Sequence, residues 1–296
     1  ILGIAQGRKL PRFATGTLMR WAQREQLTRP SKQTTRKVVY FVDAFANWND
    51  VQLGRAFVEV LRHNNIEVVI PPGQAVSGMS LVSEGAVGRA RRIATRNVDL
   101  LSEWVRQGYQ VVTTEPSAAL AIKHEYLNLL DEPEAKRVAE QTIDSASFLM
   151  SLHRSGELAL DFRPVNAHIG YHLPCHQRAL LVDGKVDSIP AIGLMKLIPG
   201  LKVEFLDRGC SGMAGTYGLK KRNYRRSLKM GLPLIQSLRD PLILAGSTEC
   251  STCKIQMEQG TSKPTIHPIK LVALAYGVMP ELNDLLNRRS GVRNLS

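Results

Sequence analysis

Four cysteines stand in the second half of this 296-residue chain: Cys175, Cys210, Cys250 and Cys253, the last two as Cys-x-x-Cys. Four thiolates satisfy either a cubane [4Fe–4S] cluster or a tetrahedral zinc ion. Sulfur ligands suit both, so softness does not separate them. The same residues have plainer uses. A free cysteine is often a small buried hydrophobe, and Cys-x-x-Cys is also the spacing of a thioredoxin-like dithiol. That motif normally opens a helix early in its domain, whereas this one lies late. Four cysteines in a chain of this length are too sparse for a secreted disulfide scaffold. The pattern therefore predicts reduced thiols kept for metal or redox work.

The neighbouring residues agree. In Gly209-Cys210-Ser211-Gly212 small residues let backbone approach a bulky inorganic centre. The segment precedes an expected helix, whose amino end favours thiolate over thiol. His172 and His176 flank Cys175, as candidate donors to cluster sulfur or as a zinc ligand. Ser211 and Glu249 sit beside thiols, and His267 closes the set of candidates around the centre.

Thiols so far apart meet only if the fold gathers them. Residues 37–42 form an apolar run of buried-strand length. Helix patterns over 51–64 and 87–107 alternate with strand patterns over 66–70 and 109–113. A short helix is expected near 17–26. The plan returns as strand 167–171, helix 189–197, strand 202–206, helix 223–238 and strand 241–245. This alternation predicts an α/β fold of two tandem pseudo-repeated domains, each a parallel sheet flanked by helices. Ser77-Gly78-Met79 recurs as Ser211-Gly212-Met213, 134 positions later. On that offset Ala44, Val76 and Ala118 fall near Cys175, Cys210 and Cys253. The expected division is a basic approach segment 1–37, a cysteine-free domain 38–137, a linking helix within 138–165, and a thiol-bearing domain 166–296. Each cysteine then follows a strand of the second sheet, at the carboxyl edge where open α/β sheets bind ligands.

The net charge is +13, with basic clusters at Arg89, Arg91, Arg92 and Arg96 and from Lys220 to Lys229. Such a surface suits an acidic partner or anionic lipid. Neither cluster interleaves aromatics, and no nucleic-acid motif is legible, so nucleic acid is not an expected partner. No apolar run reaches the roughly 18 residues of a membrane span, and no signal peptide opens the chain. The expected location is cytoplasmic, with any lipid contact at the inner membrane face. The chain begins at Ile1, which suggests a piece of a longer polypeptide.

Three blocks carry a resemblance: Tyr171-His172-Leu173-Pro174-Cys175-His176, Gly209 through Gly218, and Thr248-Glu249-Cys250-Ser251-Thr252-Cys253. They resemble the cysteine-rich CCG-domain family, which includes the B subunit of heterodisulfide reductase. Within it the likeness is strongest to the C subunit of anaerobic glycerol-3-phosphate dehydrogenase and to the iron–sulfur subunit of glycolate oxidase. The resemblance implies two CCG repeats, the first degenerate. It also implies an iron–sulfur electron-transfer part of a flavin-dependent glycerol-3-phosphate or 2-hydroxyacid dehydrogenase system, without catalytic residues of its own. Its partners would be a flavin-containing subunit or domain and an upstream ferredoxin-type domain, and electrons would pass toward a quinone or other acceptor. Ser211 stands where the family's Cys-Cys-Gly triplet has its second cysteine. That departure favours an ordinary [4Fe–4S] cubane, or zinc in a structural assembly module, over a noncubane cluster. Direct disulfide chemistry at the site, as in the heterodisulfide relatives, is a third reading.

Overall fold

A computed structural model describes residues 3–30, 36–181 and 188–287. Residues 1–2 and 31–35 of the expected approach segment, and 182–187 and 288–296 of the last expected domain, lie outside them. The chain divides into two compact units. One comprises Arg12–Leu160 with His176–Ala191, the other Ile1–Pro11, Asp161–Cys175 and Ile192–Ser296.

In the first of these units, α1 (Leu18–Arg24) is capped by Thr17, whose hydroxyl accepts from the Arg20 N–H. Strand β1 (Lys37–Tyr40) follows, its Val38, Val39 and Tyr40 fully buried, as a central parallel strand requires. Helices α2 (Ala44–Trp48) and α3 (Val51–His63) start at Asp43 and Asp50, whose carboxylates accept the first free N–H groups. Then come β2 (Glu67–Val69), α4 (Met79–Ser83), α5 (Val87–Arg106) and β3 (Gln110–Thr113). Helix α6 (Pro116–Leu120) runs through a wider turn at Ala121–Glu125 into α7 (Tyr126–Leu129), followed by α8 (Pro133–Glu140), β4 (Thr142–Asp144) and α9 (Ser145–Arg154). The sheet order is β2-β1-β3-β4, with every pairing parallel.

The other unit repeats this order. Its strands are β5 (Ala167–Tyr171), β6 (Leu201–Phe205), β7 (Ala245–Ser247) and β8 (Thr265–Ile266), arranged β6-β5-β7-β8 and all parallel. Between and after them run α10 (Cys175–Leu180), α11 (Pro190–Lys196), α12 (Tyr224–Leu238), α13 (Ser251–Gln259), α14 (Pro268–Ala275) and α15 (Asn283–Asn287). Helices α12 and α13 close one face of the sheet, where Leu206, Leu234, Leu238, Ile243 and Met257 form a buried cluster. The expected α/β architecture of two similar parallel sheets is what the chain adopts.

Two expectations change. The linking helix expected within 138–165 is in fact the end of α8, strand β4 and helix α9. Val138, Leu149 and Leu152 fall on one face at about 100° per residue, so the run reads as a single helix, and a three-residue strand carries no period of its own. The strand expected at 241–245 begins at Ala245 instead. Ahead of it, the Asp240 carboxylate accepts from the Leu242 N–H and makes a turn. Leu242 consequently points outward, 72% exposed. The true strand, Ala-Gly-Ser, is weak by propensity but fully buried, and tight packing explains it. A side chain on Gly246 would meet the Met257 methyl at 2.7 Å.

Candidate metal centre

In the thiol-bearing unit the sheet order reverses between β5 and β7, so the crevice for a ligand opens beyond their carboxyl ends. Phe205, Tyr171, Ser247 and Ile266 pair in one row across the four strands. Cys175, Cys210, Cys250 and His267 each follow shortly after a member of that row. The topology therefore delivers the three thiol-bearing loops to one edge of one sheet.

The Cys250–Cys253 pair is the best-defined part. Cys250 is the cap residue of α13 and Cys253 lies within its first turn, and both are buried. A hydrogen bond with Cys253, then burial and the charge of Cys253, push the Cys250 thiol well above its ordinary value. The Thr252 hydroxyl, 3.2 Å from Cys250 Sγ, and the Cys253 N–H oppose that shift. Ser211 is buried too, and its hydroxyl donates to Cys253 Sγ at 3.1 Å. Cys210, next to it, accepts the Gly212 N–H at 3.2 Å and is exposed. Gly212 makes this turn with φ +86°, and a Cβ there would strike the Ser227 carbonyl at 2.3 Å. The loop thus lies hard against α12. Cys175 opens α10 and is exposed.

Ser211, Cys250 and Cys253 are thus joined by hydrogen bonds, and Cys175 and Cys210 stand at the same sheet edge as exposed thiols. Among the described residues no three His, Cys, Asp or Glu side chains form a ready metal cage. The donor set itself fits a soft, thiophilic centre: four thiols from three adjoining loops, two of them paired at the start of α13.

The other candidates have structural partners. Tyr171 donates its phenol to both oxygens of the buried Glu249 carboxylate, at 3.0 and 2.9 Å. His267 caps α14, its Nδ1 accepting the Ile269 N–H at 3.1 Å. Buried His172 extends the ladder, its main-chain N–H donating to the Ser247 carbonyl at 2.9 Å. His176 belongs to the other unit, where burial lowers its pKa and Glu125 works against the shift.

Arg8 had no signal in the sequence. Its buried guanidinium donates to Gln256 Oε1, the Gly218 carbonyl and Ser227 Oγ. Gln256 lies one turn beyond Cys253 on α13, and Gly218 and Ser227 flank the Cys210 loop. One side chain therefore ties together the elements that carry three of the thiols.

Residues 169–258 match the family model described as CCG, the cysteine-rich domain. The C subunit of the anaerobic glycerol-3-phosphate dehydrogenase of Escherichia coli is 31% identical over 275 residues, covering 93% of this chain and 67% of that protein. The B subunit of the fumarate reductase (CoM/CoB) of Methanothermobacter marburgensis is 24% identical, covering 80% of this chain and 44% of that one. Lactate utilization protein A of Halalkalibacterium halodurans is 28% identical, covering 62% of this chain and 73% of that one. With its three cysteine blocks in order and a duplicated parallel sheet beneath them, the chain belongs to the cysteine-rich CCG-domain family that includes the C subunit of anaerobic glycerol-3-phosphate dehydrogenase.

Proposed function

We propose that this chain is the iron–sulfur electron-transfer part of a flavin-dependent dehydrogenase system of the glycerol-3-phosphate or 2-hydroxyacid type, handing electrons on toward a quinone or other acceptor. The observation that carries this reading is the delivery of all four thiols to the carboxyl edge of one sheet, with two of them paired at the start of α13. The names of the relatives, subunits of a glycerol-3-phosphate dehydrogenase and a fumarate reductase, support an oxidoreductase setting. Among the described residues no helix is long and apolar enough to cross a membrane.

Cys175, Cys210, Cys250 and Cys253 would hold the group, a [4Fe–4S] cluster, which supplies one-electron chemistry when bound. Cys250 and Cys253 offer a buried, prealigned pair. Cys210 and Cys175 complete the set by turning their exposed thiols inward. Ser211 hydrogen-bonds a ligand sulfur, and Gly212 keeps its N–H on Cys210. No side chain here is assigned a catalytic role. In this reading a flavin-bearing partner, and any ferredoxin-type domain, lie outside the chain.

Anaerobic reconstitution with iron and sulfide tests the reading. The expected product is brown, with about four irons and four sulfides per chain for a cubane, bleached by dithionite. A colourless product carrying one zinc per chain, unchanged by dithionite, would replace it with a structural zinc module.

A further inference from the structure

Between Asp207 and Asp240 the chain has eight Lys and Arg residues and no Asp or Glu. That run contains the whole Cys210 loop and α12. Charged clusters on helical surfaces normally mix signs, which limits self-repulsion. Arg208, Lys221, Arg222, Arg225, Arg226 and Lys229 are all exposed. Among the described residues, none of the four from Arg222 to Lys229 has an ion-pair partner. The helix that carries Arg225, Arg226 and Lys229 lies directly against the thiol loop, because Gly212 packs against Ser227, Gly231 and Met230 in the middle of α12. Exposed Tyr217 and Met230 lie within the same run, residue types enriched at protein interfaces.

We propose that the α12–Cys210 face is the docking site for an electron-carrying protein with an acidic surface. The proposal rests on the electron-transfer reading and deepens it by naming the face and the charge of the partner. An electron leaves the partner's reduced group and arrives at the thiolate-held centre, with no bond made or broken. The partner must therefore cover the loop where the site reaches the surface, and the helix packed against that loop carries exposed Arg225, Arg226 and Lys229. A complementary field speeds encounter and fixes orientation, and salt weakens it. Lipid is the less suitable occupant. The apolar residues of α12, including Leu234, Ile235 and Leu238, are buried in the core, leaving Met230 and Leu232 as its projecting hydrophobics.

The test uses the 296-residue chain and flavodoxin, an acidic flavoprotein, as probe, with binding followed by titration calorimetry at low salt. Arg225→Glu/Arg226→Glu is compared with Arg89→Glu/Arg92→Glu, which makes the same charge change on α5. Both pairs are exposed, so both variants should fold, as circular dichroism will show. The α12 variant should bind at least tenfold more weakly, the α5 variant within twofold of the unaltered chain, and added salt should weaken binding. Equal loss in both variants would overturn the proposal by reducing it to net charge. Vesicles of phosphatidylglycerol bound through Arg225 and Arg226, with flavodoxin binding unaffected by their reversal, would overturn it in favour of lipid. Binding is read in the oxidised state and without metal, so failure of reconstitution bears on the electron-transfer reading alone.

Discussion

Ser211 touches the proposed centre without being a thiol. Its hydroxyl hydrogen bond to Cys253 Sγ withdraws charge from a ligand sulfur, which stabilises the reduced, more negative state of a bound cluster. If the bond is worth about 0.5–1.5 kcal/mol more to that state, Ser211→Ala lowers a one-electron midpoint potential by roughly 20–60 mV. Redox titration monitored by electron paramagnetic resonance should show the shift, and an unchanged potential would remove Ser211 from the tuning of the site. Tyr171 plays a different part. Tyr171→Phe takes the phenol's hydrogen bonds from the buried Glu249 carboxylate, a loss of about 1–3 kcal/mol in stability. Urea unfolding of the two proteins at neutral pH will measure it. The cysteines, Ser211 and Glu249 were legible as a group because they are adjacent in sequence or share a strand-end position. Arg8 was not, since its partners lie more than 200 residues away and an arginine near a chain start has no local signature.

Among the elements, the loops after β1 and β3 mirror those after β5 and β7, with different chemistry. Thr113-Thr114-Glu115-Pro116 occupies the register of Thr248-Glu249-Cys250-Ser251. The Tyr40 phenol lies 2.8 Å from the Thr114 hydroxyl, as the Tyr171 phenol meets Glu249. At the matching turn Asp43 caps α2 and accepts from Thr114. Burial raises the Asp43 pKa, against the N–H groups of Ala46 and Phe45 and the Thr114 hydroxyl, which lower it. A raised carboxylate pKa means the folded chain holds a proton that the unfolded chain has released. Asp43 therefore lends stability at low pH that is lost as pH rises from the ordinary carboxylate range through the raised value. Asp43→Asn keeps an accepting oxygen for the cap. The stability of this variant relative to the parent should climb across that window, and a pH-independent difference would contradict the assignment. Gly212→Ala adds a clash with the Ser227 carbonyl to a left-handed backbone. It should cost about 1–3 kcal/mol and lower the iron retained after reconstitution. Long helices were readable because Val51–His63 and Val87–Arg106 carry a clear apolar stripe. Strands β4 and β8 were not, being three and two residues long.

For the whole molecule, Ser77-Gly78-Met79 and Ser211-Gly212-Met213 gave the duplication away. The structure shows why the tripeptide persists: both glycines adopt positive φ, +78° and +86°, at the turn leading into the next helical region. The repeat extends beyond that signal to Thr142-Ile143-Asp144 and Thr265-Ile266-His267, where Asp144 and His267 at the end of the last strand cap the next helix. What sequence spacing could not supply was the division into units, because Ile1–Pro11 and His176–Ala191 each belong with residues distant along the chain. Burial of Arg8 against Ser227 and Gln256 accounts for the first of these exchanges. Removing residues 1–11 should therefore loosen the thiol-bearing unit first. Hydrogen exchange should report faster exchange in α12 and α13 than in α3 or α5, and uniform acceleration would refute the assignment.

The cysteine-free sheet also bears on the order of events during maturation. It holds the same strand order, the same glycine turn and the same capped final helix with no cysteine in its sequence. Packing alone is enough to build this scaffold, so its thiol-bearing twin should reach native shape before any inorganic group arrives. Loading is then a local closure of Cys175 and Cys210 onto a preformed fold, unlike the metal-driven collapse of a zinc finger. Chain made without iron should show the far-ultraviolet circular dichroism of the loaded form and accept its cargo without refolding.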